Sequence, residues 1–213
     1  MKHEKKTIIL TTLITLLPAL IGFILWNKLP DQMPIHFNFG GQADNYSSKL
    51  FAVLGLPCII MIFHLIVVFA TMADPHNPQV SSKLNRLVLW ICPLVSLFTA
   101  FLIYSAALGR NLDVNMITGI MMGLLFVIIG NYLPKTRHNY TIGIRIPTTL
   151  NSEENWEKTH RMAGPVWVAG GLIVLISAFL GTAGTIIMLI TLCVISITPL
   201  VYSIRLAKKQ KDL

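Results

Sequence analysis

Residues 50–72 read LFAVLGLPCIIMIFHLIVVFATM and contain no Asp, Glu, Lys or Arg. At about 1.5 Å per residue, a helix of this length crosses the roughly 30 Å of hydrocarbon in a bilayer. A soluble domain seldom holds so long an apolar run, so the stretch predicts a membrane-spanning helix.

Five further stretches share this character, which brings the predicted spans to six. They are residues 7–26, 87–108, 114–133, 164–182 and 185–204. The composition agrees, since 54% of the 213 residues are hydrophobic, 12% are charged and the mean hydropathy is +0.68. The sequence therefore predicts an all-α, polytopic membrane protein and disfavours a soluble enzyme.

The first stretch follows a basic segment, and a cleaved secretory signal is therefore the alternative interpretation of it. Its apolar run is longer than the core of such a signal, and Trp26-Asn27-Lys28 offers no small-residue cleavage site. A retained helix is therefore the favoured interpretation of residues 7–26.

Lys and Arg are concentrated on one side of the six spans. Fourteen of the 17 fall there: Lys2, Lys5, Lys6, Lys83, Arg86, Lys135, Arg137, Arg145, Lys158, Arg161, Arg205, Lys208, Lys209 and Lys211. The other side holds Lys28, Lys49 and Arg110. Because cytoplasmic loops accumulate cations, both termini are predicted to be cytoplasmic in a multi-pass protein of the cell membrane. The net charge of +8 then lies on the cytoplasmic face, where it predicts contact with anionic membrane lipids and no direct binding of nucleic acid.

Two connections are too long to be simple turns, namely an extracellular loop at 27–49 and a cytoplasmic loop at 134–163. In the first, Met33, Ile35, Phe37 and Phe39 alternate with polar or small residues before a Gly-Gly turn, which predicts a short strand or hairpin. Two interpretations stay open. The loop is either a receptor surface that uses His36 and the Phe side chains, or an aromatic anchor at the membrane interface.

The second loop is predicted to contain a short helix over residues 151–162. Asn151 is a suitable N-cap, and Gly164-Pro165 is a typical end signal. Trp156 and His160 are four residues apart and so share one face of that helix. The helix is either an interfacial anchor along the membrane or part of a docking surface for a cytoplasmic partner.

Inside the spans, His64 is the one ionisable side chain apart from cysteines and tyrosines. It either bonds a Ser or Thr of a neighbouring helix or takes part in proton transfer. Gly119 and Gly123 form a small-xxx-small pattern that predicts close helix packing. The cysteines Cys58, Cys92 and Cys193 all fall within spans, which predicts small packing residues rather than disulfides.

The chain contains no catalytic, metal-binding or cofactor-binding motif. We therefore predict no catalytic residues, no metal and no cofactor, and a membrane enzyme is the least favoured function. A small transporter or exporter, using proline-kinked helices and His64, is the main alternative to a binding protein.

The two long loops resemble a known family. The residues that carry this resemblance are Gly130-Asn131, Arg137, Asn139, the stretch Gly143-Ile144-Arg145-Ile146-Pro147-Thr148-Thr149-Leu150, Trp156, Thr159-His160-Arg161 and Gly164. Their pattern resembles the signature of the SdpI family of bacterial immunity proteins. Ile146 and Thr148 depart from it, since a Thr and a Trp are expected at these two positions. The first loop, from Leu29-Pro30 through Pro34-Ile35-His36-Phe37-Asn38 to Ser48-Lys49, resembles the small membrane domain of unknown function that commonly precedes this family.

The resemblance implies a toxin-resistance and signalling protein. Such a protein would protect its host from a secreted, membrane-active peptide toxin and hold a small transcriptional repressor at the membrane. By analogy, His36, Phe37 and Asn38 are the candidate toxin-sensing residues. The candidate repressor-binding residues are Asn131, Arg137, Asn139, Gly143, Arg145, Pro147, Trp156, His160 and Arg161. The resemblance also implies a two-helix domain over 1–72 and a four-helix SdpI-like domain over 73–213.

Overall fold

The computed structural model describes residues 2–76 and 80–211. Seven α-helices occur in this part of the chain: α1 (Lys2–Ile24), α2 (Leu56–Ala73), α3 (Ser82–Ala107), α4 (Val114–Tyr132), the short α5 (Pro147–Leu150), α6 (Glu153–Ser177) and α7 (Thr182–Lys211). Two strands, β1 (Gln32–Phe37) and β2 (Ala43–Ser48), form an antiparallel pair. A π-helical turn, Phe51–Gly55, precedes α2.

Six helical segments of the described chain are long and apolar enough to cross a membrane. They are Lys5–Ile24, Phe51–Ala73, Ser82–Ala107, Val114–Lys135, Glu153–Leu180 and Thr182–Lys209. The six predicted spans are therefore confirmed as helices of sufficient length and apolarity.

The chain forms two compact units. Unit 1 comprises Met1–Met72 and Asn85–Val114, and unit 2 comprises Ala73–Leu84 and Asn115–Leu213. The division into sequence domains at residues 72 and 73 stays a prediction.

Unit 1 is held together by an apolar core and by hydrogen bonds to the backbone of α1. The buried core side chains are Leu29, Met33, Ala52, Val53, Ile103 and Tyr104. Within the spans, Ser96 Oγ donates to the Thr15 carbonyl at 2.8 Å, and Tyr104 Oη donates to the Pro18 carbonyl at 2.9 Å. His64 Nε2 lies 3.1 Å from Thr11 Oγ1, so His64 does bond a Thr of a neighbouring helix.

The predicted hairpin of the first loop is confirmed as β1 and β2. Met33, the first residue of the alternating pattern, is fully buried in the core of unit 1. Phe39, the last, is 65% exposed at the turn. Lys49 closes the loop, since its Nζ donates to the Trp26 carbonyl at 3.2 Å and lies 3.2 Å from Asp31 Oδ1. The base of the hairpin is thus fixed while its tip is exposed.

Unit 2 depends on close packing between α4 and α6, as the glycine pattern predicts. A Cβ atom at Gly123 would lie 2.9 Å from the Gly171 carbonyl oxygen, and one at Gly119 would lie 2.8 Å from Ala178 Cβ. The core beside this crossing contains Phe126, Val174 and Ile195. Absence of a side chain at the glycines lets the two helix backbones approach each other.

The prediction of a separate short helix over 151–162 is wrong at both ends. Ser152, rather than Asn151, is the N-cap, and its Oγ accepts from the Asn155 amide at 3.2 Å. At the other end, α6 continues through Gly164 and Pro165 to Ser177. Proline removes one helical hydrogen bond, a loss that long membrane helices tolerate. The segment is therefore the first part of the long helix that contains the fifth candidate span and not a separate short helix.

Candidate functional site

A buried polar cluster joins the second long loop to the helices of unit 2. We call it the loop cluster. Its buried members are Asp74, Thr136, Asn139, Thr149, Asn155, Trp156, Thr159, His160 and Ser203. Buried polar groups must be hydrogen-bonded to be tolerated, and this requirement explains the dense network described next.

Asn139 organises the first half of the loop by bonding to its backbone. Its Nδ2 donates to the carbonyls of Arg137 and Ile142 at 2.7 and 3.0 Å. Its Oδ1 accepts from the amides of Thr141 and Ile142 at 2.9 and 2.6 Å. Four bonds from one side chain replace the regular secondary structure that this segment lacks.

Trp156 and His160 fasten the loop to α6. The two rings stack with centroids 4.1 Å apart, which confirms that they share one helix face. Trp156 Nε1 donates to the Thr136 carbonyl at 2.8 Å, and the Ile144 amide donates to His160 Nε2 at 2.9 Å. Trp156 is fully buried against the loop, so its ring is not available to anchor the helix in the membrane interface.

The bonding pattern fixes the protonation state of His160. Because Nε2 accepts from a backbone amide, it carries no proton, and Nδ1 must then be the protonated nitrogen. Nδ1 lies 2.9 Å from the Trp156 carbonyl, to which it donates. His160 is therefore a neutral bridge between the loop and α6.

Position 143 requires a glycine, both because of its backbone conformation and because neighbouring side chains leave no room for a Cβ atom. Its φ of +118° is one that L side chains rarely adopt, and a Cβ atom there would collide with His160 Nε2. The same Cβ would lie 3.2 Å from Trp156 Cζ2. The glycine thus lets the loop pass directly over the two stacked rings.

A second group of bonds ties α6 to α7. Asn155 Nδ2 donates to the Ser203 carbonyl at 2.9 Å, and Ser203 Oγ donates to Asn155 Oδ1 at 2.6 Å. Thr148 Oγ1, which belongs to α5, lies 2.6 Å from the same Ser203 hydroxyl. The loop, the start of α6 and the end of α7 are therefore bonded together.

Asp74, which directly follows α2, bonds to the middle of the loop. Its Oδ2 accepts from the Tyr140 amide at 2.8 Å and from Thr141 Oγ1, while Oδ1 accepts from the His76 amide at 2.8 Å. Burial alone would raise the pKa of this carboxyl. The hydrogen bonds from Thr141, His76 and Tyr140, with the nearby His76 ring, outweigh burial and hold the pKa of Asp74 below its ordinary value.

The outer surface of the loop is basic. Between residues 134 and 150 the chain has the three cations Lys135, Arg137 and Arg145 and no acidic residue, and all three are exposed. Arg145 Nη1 donates to the Tyr140 carbonyl at 2.7 Å, which leaves its other N–H groups available to a partner. Tyr140 is itself 49% exposed. This arrangement suits the binding of acidic groups.

The predicted residues of the second loop therefore separate into two sets. Asn139, Gly143, Trp156 and His160 belong to or contact the loop cluster and shape the loop from inside. The exposed set is Asn131, Arg137, Arg145, Pro147 and Arg161. Of these, Asn131 Oδ1 accepts from Lys135 Nζ at 3.4 Å, and Pro147 is the first residue of α5.

The predicted residues of the first loop meet at the turn of the hairpin. His36 Nδ1 lies 2.6 Å from Asp44 Oδ1 across the two strands, and both side chains are exposed. Asn38 Oδ1 accepts from the amides of Gly40 and Gln42 at 2.9 and 3.1 Å, so Asn38 shapes the turn. Phe37 is half-buried. The part of the chain that the structure describes holds no group of three or more His, Cys, Asp or Glu side chains suited to a metal ion.

Sequence reasoning missed Asp74, Thr149, Asn155 and Ser203. The available signal for Asp74 was its position as an isolated acid immediately after a span. Asn155 and Ser203 carried no comparable signal, because they bond to each other across 48 residues. Thr149 lies within the stretch that carries the resemblance, but its local bonds to the backbone of Ile144 and Ile146 were not predicted.

Comparison with known proteins identifies both loops as family segments. Residues 135–203 match the SdpI/YfhL protein family, and residues 13–61 match the domain of unknown function DUF1648. The chain is 26% identical over 197 residues to a protein named Immunity protein SdpI from Bacillus subtilis (strain 168), and this similarity covers 91% of each chain. No solved structure is significantly similar to this chain. With its six apolar helices, the chain is a multi-pass membrane protein whose residues 135–203 match the SdpI/YfhL family and whose residues 13–61 match DUF1648.

Proposed function

We propose that this protein is a non-catalytic membrane immunity protein that gives its host resistance to a secreted, membrane-active peptide toxin. The observation that carries the proposal is the similarity to Immunity protein SdpI, which extends over 91% of both chains. Agreement over nearly the full length includes both the hairpin and the second long loop, so it is not restricted to the apolar spans.

The proposal includes an orientation in which both termini and the second long loop are cytoplasmic. The cation count supports it, since fourteen Lys and Arg fall on one side of the spans and three on the other. The β1–β2 hairpin is then extracellular, where it meets a secreted peptide first.

The hairpin tip is the proposed toxin-sensing surface. Phe39 and Tyr46 are 65% and 53% exposed, and the exposed pair of His36 and Asp44 lies on the same hairpin. Aromatic side chains with a polar neighbour suit an amphipathic peptide at a membrane surface. Phe37 is half-buried at the end of β1, and Asn38 holds the turn.

The second long loop is the proposed binding surface for a cytoplasmic transcriptional repressor. Its exposed Arg137, Arg145 and Arg161 provide planar guanidinium groups that recognise carboxylates of a protein partner. The loop cluster keeps this surface rigid, which reduces the entropy lost on binding. Toxin binding would favour one of two conformations and so control access to this surface.

The first experiment is survival of a sensitive strain during challenge with a panel of membrane-active peptides. Cells would carry the unmodified protein, His36→Ala, Phe39→Ala, Arg145→Ala or an empty vector, with Lys28→Ala as a control in the same loop. We expect protection by the unmodified protein and by Lys28→Ala, and weaker protection by the two hairpin variants. Arg145→Ala should still protect but lose repressor capture. No protection by any form, despite confirmed expression in the membrane, would contradict the immunity proposal.

A small transporter is the second candidate function, and one observation favours it. His64 is fully buried within a span, and its Nδ1 atom has no hydrogen-bond partner among the residues that the structure describes. Such a nitrogen is available to a proton or to a donor group of a substrate. In the same survival assay, a transporter would lose activity in His64→Leu and keep it in the hairpin variants.

A further inference from the structure

Asp74 occupies an unusual place relative to the proposed repressor-binding surface. It lies 66 residues before Tyr140 in the chain, yet its carboxylate accepts from both the Tyr140 amide and the Thr141 hydroxyl. The Asp74 side chain is only 1% exposed. A buried carboxylate of this kind cannot itself contact a partner, but its charged oxygens form strong hydrogen bonds.

A series of hydrogen bonds through the backbone of Tyr140 and Thr141 connects Asp74 to the exposed Arg145. The Tyr140 carbonyl accepts from Arg145 Nη1 at 2.7 Å, and this carbonyl belongs to the peptide group between Tyr140 and Thr141. Asp74 bonds to the residues on both sides of that peptide group, through the Tyr140 amide, which belongs to the preceding peptide, and through the Thr141 side chain. The N–H of the peptide group itself, the Thr141 amide, donates to Asn139 Oδ1 at 2.9 Å. Because a peptide group is planar, the bonds of Asp74 to the two flanking residues, together with the bonded Thr141 N–H, fix the direction of the Tyr140 carbonyl.

We infer that Asp74 is a positioning residue for Arg145. It acts through the Tyr140–Thr141 peptide, which directs the guanidinium group toward a carboxylate of the partner. An unsupported arginine side chain samples many rotamers and pays for ordering when it binds. The inference rests on the proposed role of the second loop as a binding surface, but the positioning itself is measurable without any partner.

The test uses the full-length protein in lipid nanodiscs and measures the labelling rate of each arginine with phenylglyoxal by mass spectrometry. The variants are Asp74→Asn, which keeps the size of the side chain but replaces one acceptor oxygen with a donor, and Thr141→Val, which removes one bond. Asp31→Asn is the control, because the Asp31 side chain is 98% exposed in the first loop. Arg137 is the internal reference within the same loop.

We expect the labelling rate of Arg145 to rise about two- to tenfold in Asp74→Asn. A change of this size corresponds to the loss of the net free energy of one hydrogen bond. Thr141→Val should give a smaller rise, and Arg137 should label at its usual rate in every variant. Unchanged labelling of Arg145 in both variants would overturn the inference. An equal rise at Arg137 and Arg145 in both variants would also overturn it, since it would indicate general loosening of the loop.

A binding measurement separates this inference from the proposed function. Repressor capture should fall in Asp74→Asn as it does in Arg145→Ala, and the double variant should be no weaker than either. Additive losses would overturn the positioning role. If the unmodified protein captures no repressor, the proposed binding role of the loop fails, and the labelling rates alone decide whether Asp74 positions Arg145.

Discussion

At the scale of single residues, the buried side chains of the second loop act mainly on backbone groups. His160 is the clearest case, because its two ring nitrogens bond to the Ile144 amide and the Trp156 carbonyl. Such bonds set the path of the loop and do not offer a ligand-binding atom. The exposed arginines are then the groups left to contact a partner. Within this one loop, the buried side chains set the path of the backbone and the exposed ones are available for recognition.

His160→Ala should destabilise unit 2 by about 2–3 kcal/mol, because it removes the acceptor of the Ile144 amide and opens a space beside Trp156. Arg161→Ala, at the neighbouring exposed position, should change stability by less than about 0.5 kcal/mol. The free energy of unfolding from titration with sodium dodecyl sulfate would measure both. Equal stabilities of the two variants would contradict the bridging role of His160.

The sequence predicted part of this residue-scale network. A spacing of four residues placed Trp156 and His160 on one helix face, and the structure confirms it. Asn155 and Ser203 could not be paired in advance, because 48 residues separate them and neither lies in a recognisable motif. Long-range polar contacts depend on the tertiary fold, whereas helical spacing depends only on local geometry.

At the scale of secondary structure, glycines decide how α4 and α6 meet. A Cβ atom at Gly171 would lie 2.7 Å from both the Gly123 carbonyl oxygen and the Val127 amide nitrogen. These are backbone atoms, so a substitution cannot be accommodated by the rotation of a side chain. The helices themselves must move apart.

Gly171→Ala should therefore destabilise the protein by about 1–3 kcal/mol, the usual cost of overpacking a close contact. Ala169→Leu is the matched control, since Ala169 lies on the exposed face of the same helix. The fraction of protein that stays monodisperse after heating in detergent measures the difference. Unchanged heat resistance of Gly171→Ala would show that the helices are not in this close contact.

The same helix shows where local sequence signals fail. Gly164 and Pro165 form a typical helix end, yet α6 passes through both. A Cβ atom at Gly164 would collide with Pro134 and lie 3.0 Å from the Gly130 carbonyl oxygen, so the glycine serves the helix crossing. The spans, by contrast, were predictable because apolar length depends on the bilayer and not on the partner helix.

At the scale of the whole molecule, the proposed function depends on which loop faces outward. An even number of spans puts both termini on one side, and the cation distribution predicts that this side is the cytoplasm. The two loops are then expected on opposite sides of the membrane, and cysteine labelling in intact cells can test this. The native Cys58, Cys92 and Cys193 lie within the spans and would be replaced by serine or alanine.

Tyr46→Cys in the hairpin should react with a membrane-impermeant maleimide in intact cells, because Tyr46 is 53% exposed and the hairpin is expected outside. Tyr140→Cys in the second loop has a similar exposed fraction but should react only after the cells are permeabilised. This pair keeps accessibility comparable and changes only the side of the membrane. The reverse labelling pattern would place the hairpin in the cytoplasm and contradict its role as a sensor of a secreted peptide. Labelling of both positions in intact cells would place both loops outside the cell. That result requires an even number of spans between them and would contradict the six-span topology, in which three spans separate the two loops.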